Sequence, residues 1–283
     1  MTCELPAILW INGELCSRHE TRISPFDQGF LSGLGVFETL LARRGVPLAV
    51  TRHWKRLCHS CAMFQFPLPS LATFRSALEQ VLRASGLEEA RLRFTVTGGE
   101  TSSFADAAEA ATQVATAQPL PPRKSAARVA VTPWKRNAQS PLAGAKSTSY
   151  AENTLALRWA RGQGADEGLF TNHREELCEG TTSNVFAEVD GRYVTPPLSS
   201  GCLPGVTRAL LLECAQRHGL PVAEETVPLE IFRRANAAFL TSTLRDVQPI
   251  SHIDGESLSQ SPSSLGRQLA ELFCDMLSQN DDP

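Results

Sequence analysis

The chain has 283 residues, 42% hydrophobic and 20% charged, a composition that can bury at least one full core. Its 27 basic and 30 acidic residues leave a formal charge of −3, which offers no general attraction for nucleic acid or an anionic membrane surface. Only Lys55, Lys124, Lys135 and Lys146 are lysines and the other 27 − 4 = 23 cations are arginines, so a nucleophilic amine has four candidates.

In chain order, Ala7-Ile-Leu-Trp-Ile-Asn-Gly-Glu-Leu reads as strand, Asn-Gly turn, strand, and a second hairpin is expected to turn at Arg44-Gly45. Helical spacing follows at about 51–63, through Trp54, Leu57, Cys58, Cys61 and Ala62, and at about 71–84, through Leu71, Phe74, Leu78 and Leu82. Arg91-Leu-Arg-Phe-Thr-Val-Thr alternates as a strand does and stops at Gly98-Gly99. Residues 100–127 turn to Ala, Ser, Thr and Pro and read as a linker. A boundary near 120 therefore divides a smaller domain, 1–120, from a larger one, 121–283.

The second part resumes with the strand Arg128-Val-Ala-Val-Thr, a helix at about 150–162, and strands across Gly168–Phe170 and Glu176–Val189. A helix starts after Pro204-Gly205, Ala237-Ala-Phe-Leu-Thr-Ser-Thr is a strand, and Leu265, Leu269, Leu272, Phe273 and Met276 mark a closing amphipathic helix. The expected class is mixed, α/β or α+β, in two domains.

No apolar run approaches the about 18 residues of a membrane-spanning helix, and Met1-Thr-Cys-Glu-Leu-Pro has no secretory pattern. Eight cysteines at irregular spacing fit a reducing, cytoplasmic setting. Cys58 and Cys61 form a CxxC without a second pair, so they are expected as helix cysteines, and with no HExxH no metal site is expected.

Lys146 lies among small neutral residues, Pro141-Leu-Ala-Gly-Ala-Lys-Ser-Thr-Ser-Tyr, with no acid beside it in sequence. Desolvation of an ammonium favours the free amine that a Schiff-base lysine needs. Cys202-Leu-Pro-Gly-Val-Thr-Arg runs from loop into helix, so the N–H groups of Gly205, Val206 and Thr207 and the Thr207 hydroxyl could hold a phosphate or carboxylate. An ordinary helix start is the alternative. Glu179-Gly-Thr-Thr-Ser-Asn interrupts an apolar strand, and an inward carboxylate there needs a cationic or protonated partner; an edge Glu facing water is the other possibility. A lysine, an anion cradle and an inward carboxylate are what a pyridoxal phosphate site requires.

With these motifs in this order, the chain resembles the fold type IV, or class IV, pyridoxal-phosphate enzymes: branched-chain and D-amino acid aminotransferases and aminodeoxychorismate lyases. The resemblance runs from Trp10-Ile-Asn-Gly and Ile23-Ser-Pro-Phe-Asp-Gln-Gly-Phe through Gly35-Val-Phe-Glu-Thr, His53-Trp-Lys-Arg-Leu, Lys146-Ser-Thr-Ser-Tyr, Glu179-Gly-Thr-Thr-Ser-Asn and Cys202-Leu-Pro-Gly-Val-Thr-Arg to Leu240-Thr-Ser-Thr. It implies the two-domain fold of that family, the cofactor pyridoxal 5′-phosphate, and a homodimer with an amino acid, keto acid or aminodeoxychorismate as its small-molecule substrate. By the same resemblance Lys146 is the Schiff-base lysine and proton shuttle, Glu179 meets the pyridine nitrogen, and Tyr150 lies near the ring oxygen. Arg56, Gly205, Val206, Thr207, Ser242 and Thr243 surround the cofactor, Arg56 as a fork of phosphate donors.

Departures fall on the substrate side. Phe37 stands where Tyr is frequent, and Gly98 stands where D-amino acid aminotransferases carry the arginine of Thr-Arg-Gly, which argues against D-amino acids. Arg245 could meet a substrate carboxylate instead, or pair with Asp246 or solvent. Transamination is the leading expectation, aminodeoxychorismate lyase the rival, and a non-catalytic pyridoxal phosphate binder a third.

Overall fold

The computed structural model describes residues 6–101, 106 and 110–283. Residues 1–5, part of the segment without a secretory pattern, and 102–105 and 107–109, within the stretch expected as a linker, lie outside the described residues. The chain forms two compact units: Met1–Pro122 with Ala145–Ser149 and Asp282, and Arg123–Gly144 with Tyr150–Asp281 and Pro283.

In the first unit β1 (Ile8–Ile11) and β2 (Glu14–Ser17) pair antiparallel around Asn12 and Gly13, both at positive φ. After α1 (Gln28–Ser32) come β3 (Gly35–Arg43) and β4 (Val46–Pro47). They turn at Arg44 and Gly45 with φ of 50° and 73°, the left-handed pair that tight hairpins demand. Then follow α2 (Val50–Met63), α3 (Leu71–Ser85), β5 (Ala90–Thr97) and β6 (Thr112–Gln118). The sheet order is β2-β1-β6-β5-β3-β4. Ser70 caps α3 by accepting the Thr73 N–H at 3.0 Å, and its Phe74, Ala77, Leu78, Val81 and Leu82 join Leu92, Phe94 and Val96 of β5 in one core.

Strand β6 corrects the linker expectation for this stretch. Its residues pair with β5 on one side and β1 on the other, and Ala115 stands opposite both Phe94 and Trp10. Ala115 is fully buried and the two rings lie 6.0 Å apart. Small side chains are present because neighbouring aromatics fill the volume, and composition alone cannot separate that case from a linker.

The Ala145–Ser149 segment, which carries Lys146, attaches to β3 of this unit. Val36 bridges Ser147, the Phe37 N–H donates to the Lys146 carbonyl at 2.9 Å, and the Thr148 N–H donates to the Gly35 carbonyl at 2.7 Å. A Cβ on Gly35 would come within 2.6 Å of the Thr148 hydroxyl, so the close approach requires glycine. Asp282 also packs here: it accepts the Thr51 N–H at 2.8 Å and its hydroxyl at 2.6 Å. It thereby caps α2, whose own cap residue Ala49 makes no side-chain bond.

The second unit contains β7 (Ala127–Arg136), α4 (Ala151–Gly162), β8 (Glu167–Asn172), β9 (Leu177–Gly180), β10 (Asn184–Val189) and β11 (Arg192–Thr195). It continues with α5 (Val206–Arg217), β12 (Val222–Glu224), α6 (Leu229–Arg233), β13 (Ala238–Ser242), β14 (Asp246–Ile253), β15 (Glu256–Ser257) and α7 (Ser264–Gln279). Its sheet runs β12-β11-β10-β13-β14-β7-β8-β9, with β15 paired to β14. The β7–β8, β7–β14 and β11–β12 pairs are parallel. Phe186 stacks on Phe239 at 4.8 Å, and Tyr193 packs against the same ring.

The continuous strand expected over Glu176–Val189 is divided at residues 181–183. The cause is Glu167, fully buried on β8. It accepts the Thr181 hydroxyl, the Thr182 N–H at 3.1 Å and the Thr182 hydroxyl at 2.7 Å. Those three bonds turn the backbone out of the ladder and compensate the burial of the carboxylate. Among the described residues no helix is long and apolar enough to cross a membrane.

Candidate active site

Two groups of side chains carry chemistry, one in each unit. In the first, Lys146 is held by its backbone at both ends, its N–H donating to Ser60 Oγ at 3.1 Å and its carbonyl accepting from Phe37. Its Nζ lies 4.4 Å from the centroid of the buried Phe37 ring, and the Arg93 guanidinium carbon lies 3.7 Å from the same centroid. An aromatic ring is an attractive partner for a cation and takes no proton from it.

Helix α2 presents His53, Arg56 and Ser60 at spacings of three and four, hence on one face. Opposite them is Glu38, fully buried on β3 next to Phe37. Its Oε1 accepts Arg56 Nε and its Oε2 accepts Arg56 Nη2, both at 2.7 Å, a two-pronged contact. His53 Nδ1 lies 2.6 Å from Oε2. Burial alone would raise the Glu38 pKa, but the charges and hydrogen bonds of Arg56 and His53 overcome it and hold the group at about 2. For His53 burial wins, and its pKa falls below the ordinary 6.5 although Glu38 pulls it upward. The neutral ring donates Nδ1–H, since an ionised carboxylate only accepts.

In the second unit Glu179 is buried at the end of β9. Its Oε2 accepts the Leu203 N–H at 2.9 Å, and its Oε1 lies 3.2 Å from Arg136 Nε. A cation and a backbone donor thus both meet this carboxylate. Arg136 is set by Glu152 at 2.7 Å and by the Phe170 ring at 4.2 Å. The Leu203 carbonyl accepts Asn184 Nδ2 at 2.9 Å, so both backbone groups of Leu203 are fixed. Two residues on, Gly205 begins α5 with no side-chain cap, and Val206 and Thr207 are buried. A Cβ on Gly205 would stand 2.0 Å from Asn184 Oδ1. The first N–H groups of a helix have no partner within it, and a side chain at Gly205 would have to displace Asn184.

Thr241 is opposite Asn184 in the β10–β13 register and so shares its face. Its buried hydroxyl and that of Ser183 have no hydrogen-bond partner among the described residues. Ser242 ends β13, half-buried Thr243 follows it, and half-buried Tyr150 stands at the start of α4. Arg245 donates to Gln248 Oε1 and to Glu167 Oε2, each at 2.6 Å, while Asp246 pairs with Arg123. Gly98 packs tightly, a Cβ there lying 3.2 Å from Gln28 and 3.3 Å from the Phe66 ring.

The site residues expected from sequence thus gather as Lys146, Phe37 and Arg56 in one unit and as Glu179, Gly205, Val206 and Thr207 in the other. Glu38, His53, Arg93, Arg136, Asn184 and Thr241 were not foreseen. A carboxylate inside the apolar run Val36-Phe-Glu-Thr-Leu was the available signal for Glu38. Nothing local marks Arg136, whose partner Glu179 is 43 positions away in sequence.

Residues 35–253 match the family model for amino-transferase class IV, more than half of the chain, and the chain belongs to that family. It is 28% identical to the D-alanine aminotransferase of Staphylococcus haemolyticus over 278 residues, covering 94% of this chain and 96% of the relative. It is also 28% identical to the aminodeoxychorismate lyase of Bacillus subtilis over 254 residues, 87% of each. The crystal structure of a branched-chain aminotransferase from Thermoproteus uzoniensis with norvaline superimposes with a TM-score of 0.89 at 26% identity, over 95% of this chain and 94% of that one.

Enzymes of this family depend on pyridoxal 5′-phosphate. The residues present fit that group. The start of α5 without a side-chain cap, the Thr241 and Ser183 hydroxyls that lack a partner among the described residues, and the absence of a side chain at Gly205 suit a polar, anionic ligand. The Glu179 carboxylate, held between Arg136 and the Leu203 N–H, suits a ring nitrogen that carries a proton.

Proposed function

We propose that this enzyme transfers an amino group from an amino acid to a 2-keto acid. The observation that carries this reading is the fixing of Lys146: both backbone groups are held while its amine lies over the Phe37 ring. An amine so held can take a proton from a substrate Cα and return it at a neighbouring carbon without leaving the site.

Pyridoxal 5′-phosphate supplies a carbonyl for the substrate amine and a ring that accepts the electrons left when the Cα proton departs. Glu179, held in place by Arg136 and the Leu203 N–H, would keep the ring nitrogen protonated. The α5 N-terminus with the Thr207 hydroxyl, Arg56, and Ser242 with Thr243 would hold the phosphate, and Tyr150 the ring oxygen. Lys146 would act as base and then acid. Arg93, over the same Phe37 ring as Lys146, would receive a substrate carboxylate, a role for which Arg245 is the second candidate.

The lyase reading is kept because the Bacillus subtilis relative is as similar as the aminotransferase one. Pyruvate release from aminodeoxychorismate without a keto-acid acceptor separates them: a transaminase gives none and turns over only when an acceptor is added. Sustained release without acceptor would replace transamination by elimination. The seven described cysteines, all free thiols, support a reducing, cytoplasmic setting. The exposed Ile23, Phe26, Phe30 and Leu31 support a homodimer that covers them.

A further inference from the structure

We propose that Glu38 is a positioning residue for phosphate binding: its buried carboxylate fixes one edge of the Arg56 guanidinium, and His53 fixes the carboxylate from the other side. The proposal rests on Arg56 being a phosphate ligand, as read above.

A carboxylate beside a phosphate-binding arginine looks counterproductive. It subtracts charge from the group meant to attract an anion, and with His53 neutral the Glu38–Arg56 pair sums to zero. Burying that carboxylate completely is also costly unless its oxygens are satisfied. They are, by Arg56 Nε, Arg56 Nη2 and His53 Nδ1 at 2.6–2.7 Å. A two-pronged contact on one edge sets the plane of the guanidinium and the direction of its opposite edge. A side chain with four rotatable bonds thereby becomes an oriented donor.

The same backbone neighbourhood sets the nucleophile. Glu38 follows Phe37, whose N–H holds the Lys146 carbonyl, and Ser60, four residues after Arg56 on α2, holds the Lys146 N–H. Strand β3 and helix α2 therefore align the amine and the phosphate donor together, and Glu38 is the side-chain link between them.

The two accounts of Glu38 predict opposite signs. If it only dilutes positive charge, Glu38→Gln strengthens phosphate binding; if it orients Arg56, the same change weakens it, because the amide keeps the shape but offers Arg56 one neutral acceptor. The test compares affinity for pyridoxal 5′-phosphate with affinity for pyridoxal, the same ring without phosphate, by absorbance titration of the cofactor-stripped protein. Positioning predicts that Glu38→Gln lowers the phosphate-dependent ratio by about tenfold and leaves pyridoxal affinity within a few-fold. An unchanged or raised ratio, or equal losses for both ligands, overturns the proposal.

Arg56→Ala separates the two layers. An unchanged ratio there removes the phosphate role of Arg56, and a lowered ratio beside an unmoved Glu38→Gln removes only the positioning. Should Glu38→Gln fail to fold, His53→Gln is read instead: a drop of about two- to fivefold supports the proposal, and no drop contradicts it.

Discussion

The Glu179 carboxylate accepts the Leu203 N–H at 2.9 Å, and Leu203 stands two residues before Gly205, where α5 begins. The carboxylate read as the ring-nitrogen partner and the helix end read as the phosphate cradle are thus built as one piece. The spacing between them is set by a single backbone residue, itself held by Asn184. Glu179→Gln retains an acceptor for Leu203 but loses the charge. Activity is expected to fall by about 100-fold, with cofactor affinity changed only a few-fold in titration. A variant as active as the parent would remove Glu179 from the chemistry.

Gly205→Ala tests the cradle. Its Cβ would stand 2.0 Å from Asn184 Oδ1, so Asn184 must release the Leu203 carbonyl or the helix start must move. A stability loss of about 1–3 kcal/mol in denaturant unfolding, with weakened pyridoxal 5′-phosphate binding, is expected. An alanine variant with parental affinity would show that the cradle does not hold the phosphate.

Acid stability follows from His53 and Glu38. Both have lower pKa values folded than unfolded, so the unfolded chain binds more protons and stability falls as pH falls. For His53, whose charged form is opposed by burial and by Arg56 and Lys146, the loss begins below about 6.5; for Glu38 it runs from about 4.5 down to about 2. Melting temperature against pH should decline in these two windows, and His53→Gln should lose the upper one. A melting temperature that rises between pH 6.5 and 5 would contradict the buried neutral imidazole.

How far the sequence could be read depended on whether the information was local. Helices α2 and α3 and the two hairpins follow from spacing and from Asn-Gly and Arg-Gly turns, and they form as expected. Strand β6 does not announce itself, because Ala115 is small in answer to Trp10 and Phe94, which only the folded sheet sets opposite it. The break between β9 and β10 likewise follows from Glu167. Lys146 and the Gly205-Val-Thr helix start are legible as motifs, whereas the pairing of Arg136 with Glu179 and of Glu38 with Arg56 appears only on folding.

Arg245 gives a case with two outcomes. Its guanidinium is occupied by Glu167 and Gln248, so Arg245→Ala leaves a fully buried carboxylate without its cation. A stability loss of about 1–3 kcal/mol is expected, measured by denaturant unfolding. If substrate KM also rises at unchanged cofactor affinity, Arg245 receives the substrate carboxylate; if KM is unmoved, that role passes to Arg93, and Arg93→Ala should raise it.

The proposed function requires that Lys146, of the four lysines, be the amine that works with the cofactor. Borohydride reduction of the holoenzyme, followed by peptide mass spectrometry, tests it directly. A phosphopyridoxyl group is expected on the peptide containing Lys146 and none in Lys146→Ala. The group on Lys55, Lys124 or Lys135, or retained by the Lys146→Ala protein, would contradict it.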